Sequence, residues 1–416
     1  MLGPILLGII CLVYFTIGQS IPTQQAVCYT PFHLSCYSNG NIAELTAAID
    51  ADFKIMAYTV SIVRTYYSQH YGIQVAPVAA KYNIQLYLGV YMTTESWGQV
   101  EIAAAVQAVK DYPNTILALL FGNENLYNPR LNFGTNSADD ILSIATNTRR
   151  QILRDSGRWV PIGTSQRVTE WVESSIDSQT YKLANGVCSS GTSEFCSNWY
   201  YYPLDILGVN IYPFFDPNYN SNQPFALLNI LWCKMVEKFG STKIRPTESG
   251  FPSAGSAPYM APNNWPSVDG EANYYNAMTQ WRPADGGGPL FWFTAFDLPD
   301  SALAHSDYER HFGLFNIDRS WKSSKFPAWN NRASVGIQHI LYTISENVLS
   351  EWNQGLWTYN PTTMQFQVAI TGQCLDAYQT YNGYGLHTWL CDAWNNNQKW
   401  VIDSSQKYIR HAIHSN

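Results

Sequence analysis

Between residues 26 and about 330, short apolar runs alternate with segments of helical spacing, and no other feature of the chain narrows its fold as far. The runs are AVCYT (26–30), VSIVRTYY (60–67), IQLYLGVYM (84–92), TILALL (115–120), WVPIGTSQ (159–166), LDILGVNIYPFF (204–215), KIRPTESG (243–250) and GPLFWFTAFD (288–297). They are apolar throughout rather than alternating, as strands buried on both faces should be. VAPVAAKYN and VEIAAAVQAVKDYPN (100–114) have helical spacing. So does the stretch 136–157, with Ser137 placed to cap its start and Gly157 to stop it. Strand–helix alternation implies a parallel sheet. Eight such runs over about 305 residues predict an α/β fold, a closed (β/α)8 barrel. The alternative is a doubly wound open sheet, which wants a Gly-rich phosphate loop after its first strand; VCYTPFHLSC has none.

The polar residues of these runs gather at their C-terminal ends, where barrel chemistry sits. Arg64 and Tyr66 end the second run, Tyr91 the third, Asn123 and Glu124 the fourth, Asn210 and Tyr212 the sixth, Glu248 the seventh, and Trp292 to Asp297 the eighth. Glu124 and Glu248, three strands apart, would face each other across the mouth of a closed barrel. Cleavage of a glycosidic bond needs such a pair: one carboxylic acid protonates the leaving oxygen, and the other attacks the anomeric carbon or activates water. Asn123 is placed to bond a sugar 2-hydroxyl. Tyr212 can donate to Glu248 and favour its ionised form, and rings around Glu124 would raise its pKa. The competing reading makes both residues rim carboxylates paired with Arg64 or Arg245.

Composition agrees with a sugar substrate and excludes others. The net charge is −7 and only 13% of residues are charged, so no basic stripe exists to neutralise nucleic-acid phosphates. The 28 Tyr, 15 Trp and 18 Phe, with Asn plentiful beside them, suit a ligand that stacks its C–H faces on rings and needs amide partners for its hydroxyls. A secreted protein with a large aromatic core would show the same composition. His305 and His311, near Asp307 and Glu309, are loop histidines before they are metal ligands, and Ser249 lies in TESGF, not in a nucleophile elbow. No metal or cofactor is called for.

In order along the chain, IVRTYY (62–67), GNEN after the fourth run, VNIYPFF (209–215), RPTESGFPS (245–253) and HFGLFNIDRSWK (311–322) together resemble glycoside hydrolase family 17, the β-1,3-glucanase and glucan-transglycosylase family, in its fungal type. The resemblance covers roughly residues 26–330. It implies a retaining barrel enzyme on β-1,3-glucan, with Glu124 as acid/base and Glu248 as nucleophile. Arg64, Tyr66, Asn123, Tyr212, Phe251 and Trp292 are the candidate substrate-binding residues. The chain departs from the family in ESGFP around the nucleophile, in Thr294 where a Glu is usual, and in LPDSA where PWK often follows. Hydrolase, transglycosylase and a wall-binding protein that keeps the barrel all remain open.

Residues 1–20 resemble a secretory signal, a membrane anchor being the alternative, since their apolar stretch is short for a bilayer span. In an oxidising compartment Cys188–Cys196 and Cys374–Cys391 are the bridges expected from proximity, and Cys28, Cys36 and Cys233 leave one thiol over. The barrel is assigned to 21–332 and a linker to 333–368. In 369–416, CLD (374–376) and QKW (398–400) resemble one repeat of a ricin-type β-trefoil lectin. That family would use Asp376, Trp389 and Asn396 or Gln398 on a sugar. A trefoil closes its core with three repeats, so this incomplete segment is expected to be poorly ordered and to bind sugar weakly or not at all. The protein is read as a secreted, cell-wall-associated monomer whose partner is β-glucan, with no nucleic-acid or membrane partner.

Overall fold

The computed structural model describes residues 25–326 apart from 39, 187–200, 282–287, 301–304 and 324, together with 357–368, 373–380, 383–403 and 408–412. The signal-like segment, Cys188 with Cys196, and the stretch 333–352 lie outside the described residues. The chain divides into two compact units, Met1–Phe326 and Pro327–Asn416.

Eight parallel strands build the first unit: β1 (Gln25–Tyr29), β2 (Ile62–Thr65), β3 (Gln85–Val90), β4 (Ile116–Asn123), β5 (Ile162–Arg167), β6 (Ile206–Asn210), β7 (Ile244–Glu248) and β8 (Leu290–Trp292). Each pairs with its neighbours in sequence order, and β8 pairs with β1. Between β7 and β8 the ring is joined by a parallel bridge, in which Ser249 N–H donates to Phe291 O at 3.0 Å and Phe293 N–H to Ser249 O at 2.8 Å. Every run predicted as a strand is one. The barrel is filled, not hollow: Ala26, Cys28, Ile62, Tyr87, Ala118, Leu120, Ile206 and Phe291 pack as one cluster inside it.

Helices cover the outside because the connections between parallel strands must cross back over the sheet. They are α1 (Ile42–Met56), α2 (Val75–Lys81), α3 (Gly98–Asp111), α4 (Ala138–Ser156), α5 (Val168–Val172), α6 (Asp177–Asn185), α7 (Ala226–Phe239) and α8 (Val268–Gln280). The predicted ends of α4 hold. Ser137 and Asp140 form a reciprocal capping box, and Gly157 closes the helix in the left-handed conformation at φ 67°. Among the described residues no helix is long and apolar enough to cross a membrane.

The second unit is all-β. β9 (Trp357–Asn360), β10 (Gln365–Val368), β11 (Gln373–Thr380) and β12 (Gly383–Leu390) form an antiparallel sheet, and β13 (Trp400–Asp403) pairs with β14 (Tyr408–His411). The expected Cys374–Cys391 disulfide is present. Gln398 and Trp400 serve this unit's interior. Gln398 is buried and donates to Asp376 Oδ2 and Leu390 O, while Trp400 Nε1–H donates to Leu375 O at 2.9 Å. In the first unit Cys28 and Cys36 are buried thiols outside any disulfide.

Candidate active site

The acid of the fourth strand is placed by a break in β4. Pairing with β5 shifts register between Leu120 and Asn123, Gly122 sits at φ 71°, and Glu124 itself at φ 49°. A bulge re-aims the chain end. Glycine is needed at 122, because a Cβ there would lie 2.3 Å from Asn125 Nδ2. A glutamate held at positive φ is a local cost that persists where surrounding structure fixes it. Here Glu124 N–H donates to Ser165 O at 2.9 Å, and Glu124 Oε1 accepts from Asn210 Nδ2 at 2.8 Å. Asn210 is itself clamped, its Oδ1 accepting from Ser165 Oγ at 2.8 Å and Thr247 Oγ1 at 2.9 Å.

Glu248 ends β7 with only 4% of its surface exposed and three donors on its carboxylate. Arg64 Nη1 donates to Oε1 at 2.6 Å, Tyr66 OH to Oε1 at 2.8 Å, and Tyr212 OH to Oε2 at 2.6 Å. Arg64 also donates to Thr247 O and, through Nη2, to Asn123 Oδ1 at 2.7 Å, and Asn210 donates to that same Asn123 oxygen at 3.1 Å. One guanidinium and one amide therefore tie β2, β4, β6 and β7 into a single polar constellation that contains both glutamates.

The two carboxylates live in different environments. Burial and then the negative charge of Glu248 push the Glu124 carboxyl up to about 7, against the pull of Asn210, Arg167 and Arg64. Burial, reinforced by Glu248's charge, lifts both the Tyr66 and Tyr212 phenols well above their ordinary range, so they face Glu248 as O–H donors at any physiological pH.

Of the eight residues singled out from sequence, Arg64, Tyr66, Asn123, Glu124, Tyr212 and Glu248 converge. Arg64 does form the ion pair anticipated by the competing reading, but within this constellation; Arg245 does not, its Nη1 donating to Thr242 O and Ile244 O instead. Trp292 and Phe251 are corrections. Trp292 is 1% exposed, lies edge-on to Tyr275 on α8 and donates to Phe312 O, so it offers no face to a substrate. Phe251 is 3% exposed against Phe214 and Tyr219. The reason is strand alternation: Phe291 points inward, Trp292 outward, and Phe293 inward again beside Tyr212, with ring centroids 5.9 Å apart.

Asn210 and Phe293 lie at strand ends that the sequence marks, but the sequence assigns neither a role; here Asn210 holds Glu124 and Asn123, and Phe293 packs beside Tyr212. Thr294, the departure from the family pattern, donates to Cys28 O at 2.9 Å and does not touch Glu248. Among the described residues no group of three His, Cys, Asp or Glu side chains could hold a metal. Asp307 is bonded by Ser256, and Glu309 by the His305 backbone.

A family model described as the BtgE/BtgC glycoside hydrolase domain matches residues 26–313. No curated protein matches the sequence. Among solved structures, the chain is similar to an endo-laminarinase from Formosa Hel1_33_131, at 19% identity and TM-score 0.55 over 72% of this chain and 85% of that one. It is similar as well to a glycoside hydrolase family 17 β-1,3-glucanosyltransferase from Rhizomucor miehei, at 17% identity and TM-score 0.51 over 74% and 98%. A GH5_18 enzyme from Streptomyces cattleya, in complex with GlcNAc, matches at 12% identity and TM-score 0.50 over 78% and 82%. At such identities the likeness bears on the barrel fold. The family rests on the domain model: matched over more than half its length and carrying two glutamates at the C-terminal ends of β4 and β7, the chain belongs to the BtgE/BtgC glycoside hydrolase domain family.

Proposed function

We propose that the protein is a secreted, retaining glycosidase that acts on β-1,3-glucan by double displacement, with Glu248 as nucleophile and Glu124 as acid/base. The observation that carries this reading is the contrast between the two carboxylates. Glu248 accepts from a guanidinium and two phenols. Those three donors fix the orientation of the carboxylate at the end of β7. They suit a carboxylate that attacks carbon and later departs from the glycosyl ester. Glu124, pushed up to about 7, is protonated often enough near neutrality to give its proton to the leaving oxygen, and basic enough afterwards to take one from the acceptor. Asn123 engages Arg64 and Asn210 through Oδ1, so its NH2 end is the one available to a sugar 2-hydroxyl.

The substrate class is supported by the family 17 motifs and by two structural neighbours, one an endo-laminarinase and one a β-1,3-glucanosyltransferase. Secretion is supported by the signal-like residues 1–20 and by the Cys374–Cys391 disulfide, a bond typical of oxidising compartments. Hydrolysis and transfer differ only in whether water or a second glucan takes the glycosyl group. Mass spectrometry of products from a defined β-1,3-oligosaccharide separates them: longer products mean transfer, only shorter ones mean hydrolysis. Glu248→Ala should abolish both while glucan binding persists. A wild type that binds glucan and never cleaves it would make the protein a wall-binding one instead.

A further inference from the structure

Beside the catalytic constellation, the ends of β2 and β3 carry a cluster of rings that the proposed chemistry does not use; Tyr67 anchors it on Phe32 and His70, and its other members reach solvent. Tyr67 follows the Tyr66 that bonds Glu248, and Tyr91 follows the last residue of β3. Their rings stack at 4.7 Å between centroids and 2° between planes. Trp97, the residue before α3, joins them at 5.4 Å and 25° from Tyr91 and 6.4 Å and 26° from Tyr67. Tyr91 is 41% exposed and Trp97 37%. Rings that served only as core would be covered.

The cluster is held from below by a buried charge. Glu101 lies one helical turn after Trp97, on the same face of α3. It is fully buried, and its carboxylate accepts from Ser68 N–H at 2.9 Å, Gln69 Nε2 at 2.9 Å and Tyr91 N–H at 3.4 Å, while Ser68 Oγ donates to its backbone carbonyl. The segments it pins are those that present Tyr67 and Tyr91. Burying a carboxylate costs stability unless its hydrogen bonds are made well. Here that charge is placed where it fixes the angle between two strand ends and the first turn of α3, and so fixes the rings above it.

We propose that Tyr67, Tyr91 and Trp97 form an outlying subsite on which a sugar unit of the substrate chain, remote from the bond being cut, stacks its C–H face. The proposal rests on the β-1,3-glucan reading above and deepens it. A pre-set stack of rings whose exposed members, Tyr91 and Trp97, keep a face open to solvent can bind a pyranose at little entropic cost. It adds affinity only for chains long enough to reach it. Short substrates engage the two glutamates without touching it, and so the ledge makes the enzyme select for chain length.

The test is the ratio of kcat/KM on laminariheptaose to that on laminaritriose. Trp97→Ala should lower the ratio about tenfold, through KM on the longer substrate, which is the size of one good ring contact. Trp97→Phe should restore most of it. Trp159→Ala should leave the ratio alone, since Trp159 is 54% exposed but stands before β5, at the other end of the barrel. If Trp97→Ala does not fold, Tyr91→Leu gives the same readout with the bulk retained. An equal loss on both substrates, an unchanged ratio, or no length dependence in the wild type overturns the ledge. A wild type that turns over neither oligosaccharide overturns the substrate reading itself.

Discussion

At Glu124 the folded protein holds a carboxyl at about 7 that is near 4.5 in an unfolded chain. Between those values the native state keeps a proton the unfolded chain has released, so this residue makes stability fall as pH rises through that window. Glu124→Gln cannot ionise and should lack the slope. By thermal unfolding it should gain on the wild type above about pH 7 and match it below about pH 4.5. With Glu124 in its proposed role, kcat/KM should fall as pH rises through about 7, where its proton is lost. A basic limb that survives in Glu124→Gln would mean another acid. At Glu248, Tyr212→Phe removes the donor on Oε2. A hydrogen bond to a charged group contributes about 1.5–3 kcal/mol, so kcat/KM should drop about ten- to hundredfold with little change in Tm. No drop would mean that the Tyr212 hydroxyl contributes neither to the carboxylate's role nor to substrate binding.

At the scale of elements, the barrel could be anticipated because its strands are uninterrupted apolar runs and its helix ends carry ordinary signals, as Ser137 and Gly157 show at α4. What could not be anticipated is which side chain of a short strand faces in. The β8 sequence LFW offers two large rings, and only closure against β7 decides that Phe291 fills the barrel while Trp292 faces α8. Phe251 lies past the end of β7, where no strand alternation sets its direction, and it packs edge-on against Phe214. Arg64 was visible as a strand-end residue, but its role as the clamp on Glu248 and Asn123 depends on contacts across 184 and 59 positions of sequence. The bulge at the end of β4 makes an element-level prediction. Gly122→Ala forces a Cβ against Asn125 at positive φ, and Asn125 is held by Asn136 and Gln166. The substitution should cost about 1–3 kcal/mol and lower kcat by moving Glu124. A variant with normal kcat would show that the acid's position does not depend on the bulge.

For the whole molecule, the division at Phe326 gives each unit its own interior: the barrel cluster in one, and Phe366, Leu375 and Trp400 in the other. A chain ending at Phe326 should therefore keep the barrel's thermal transition and its turnover of soluble oligosaccharides. It should also be retained on insoluble β-1,3-glucan as strongly as the full chain. A marked loss of retention would show that the second unit binds glucan. Gln398 serves the interior of that unit: it is buried, and its amide joins Gln365, Asp376, Leu390 and Asp392.

The central claim is that Glu248 becomes covalently glycosylated. A fluorinated glucosyl donor that forms the glycosyl-enzyme and hydrolyses slowly, followed by peptide mass mapping of the full chain, tests it most directly. A sugar adduct on the peptide containing Glu248 is the expected result. An adduct on any other residue, or turnover of glucan with no adduct at all, would contradict it.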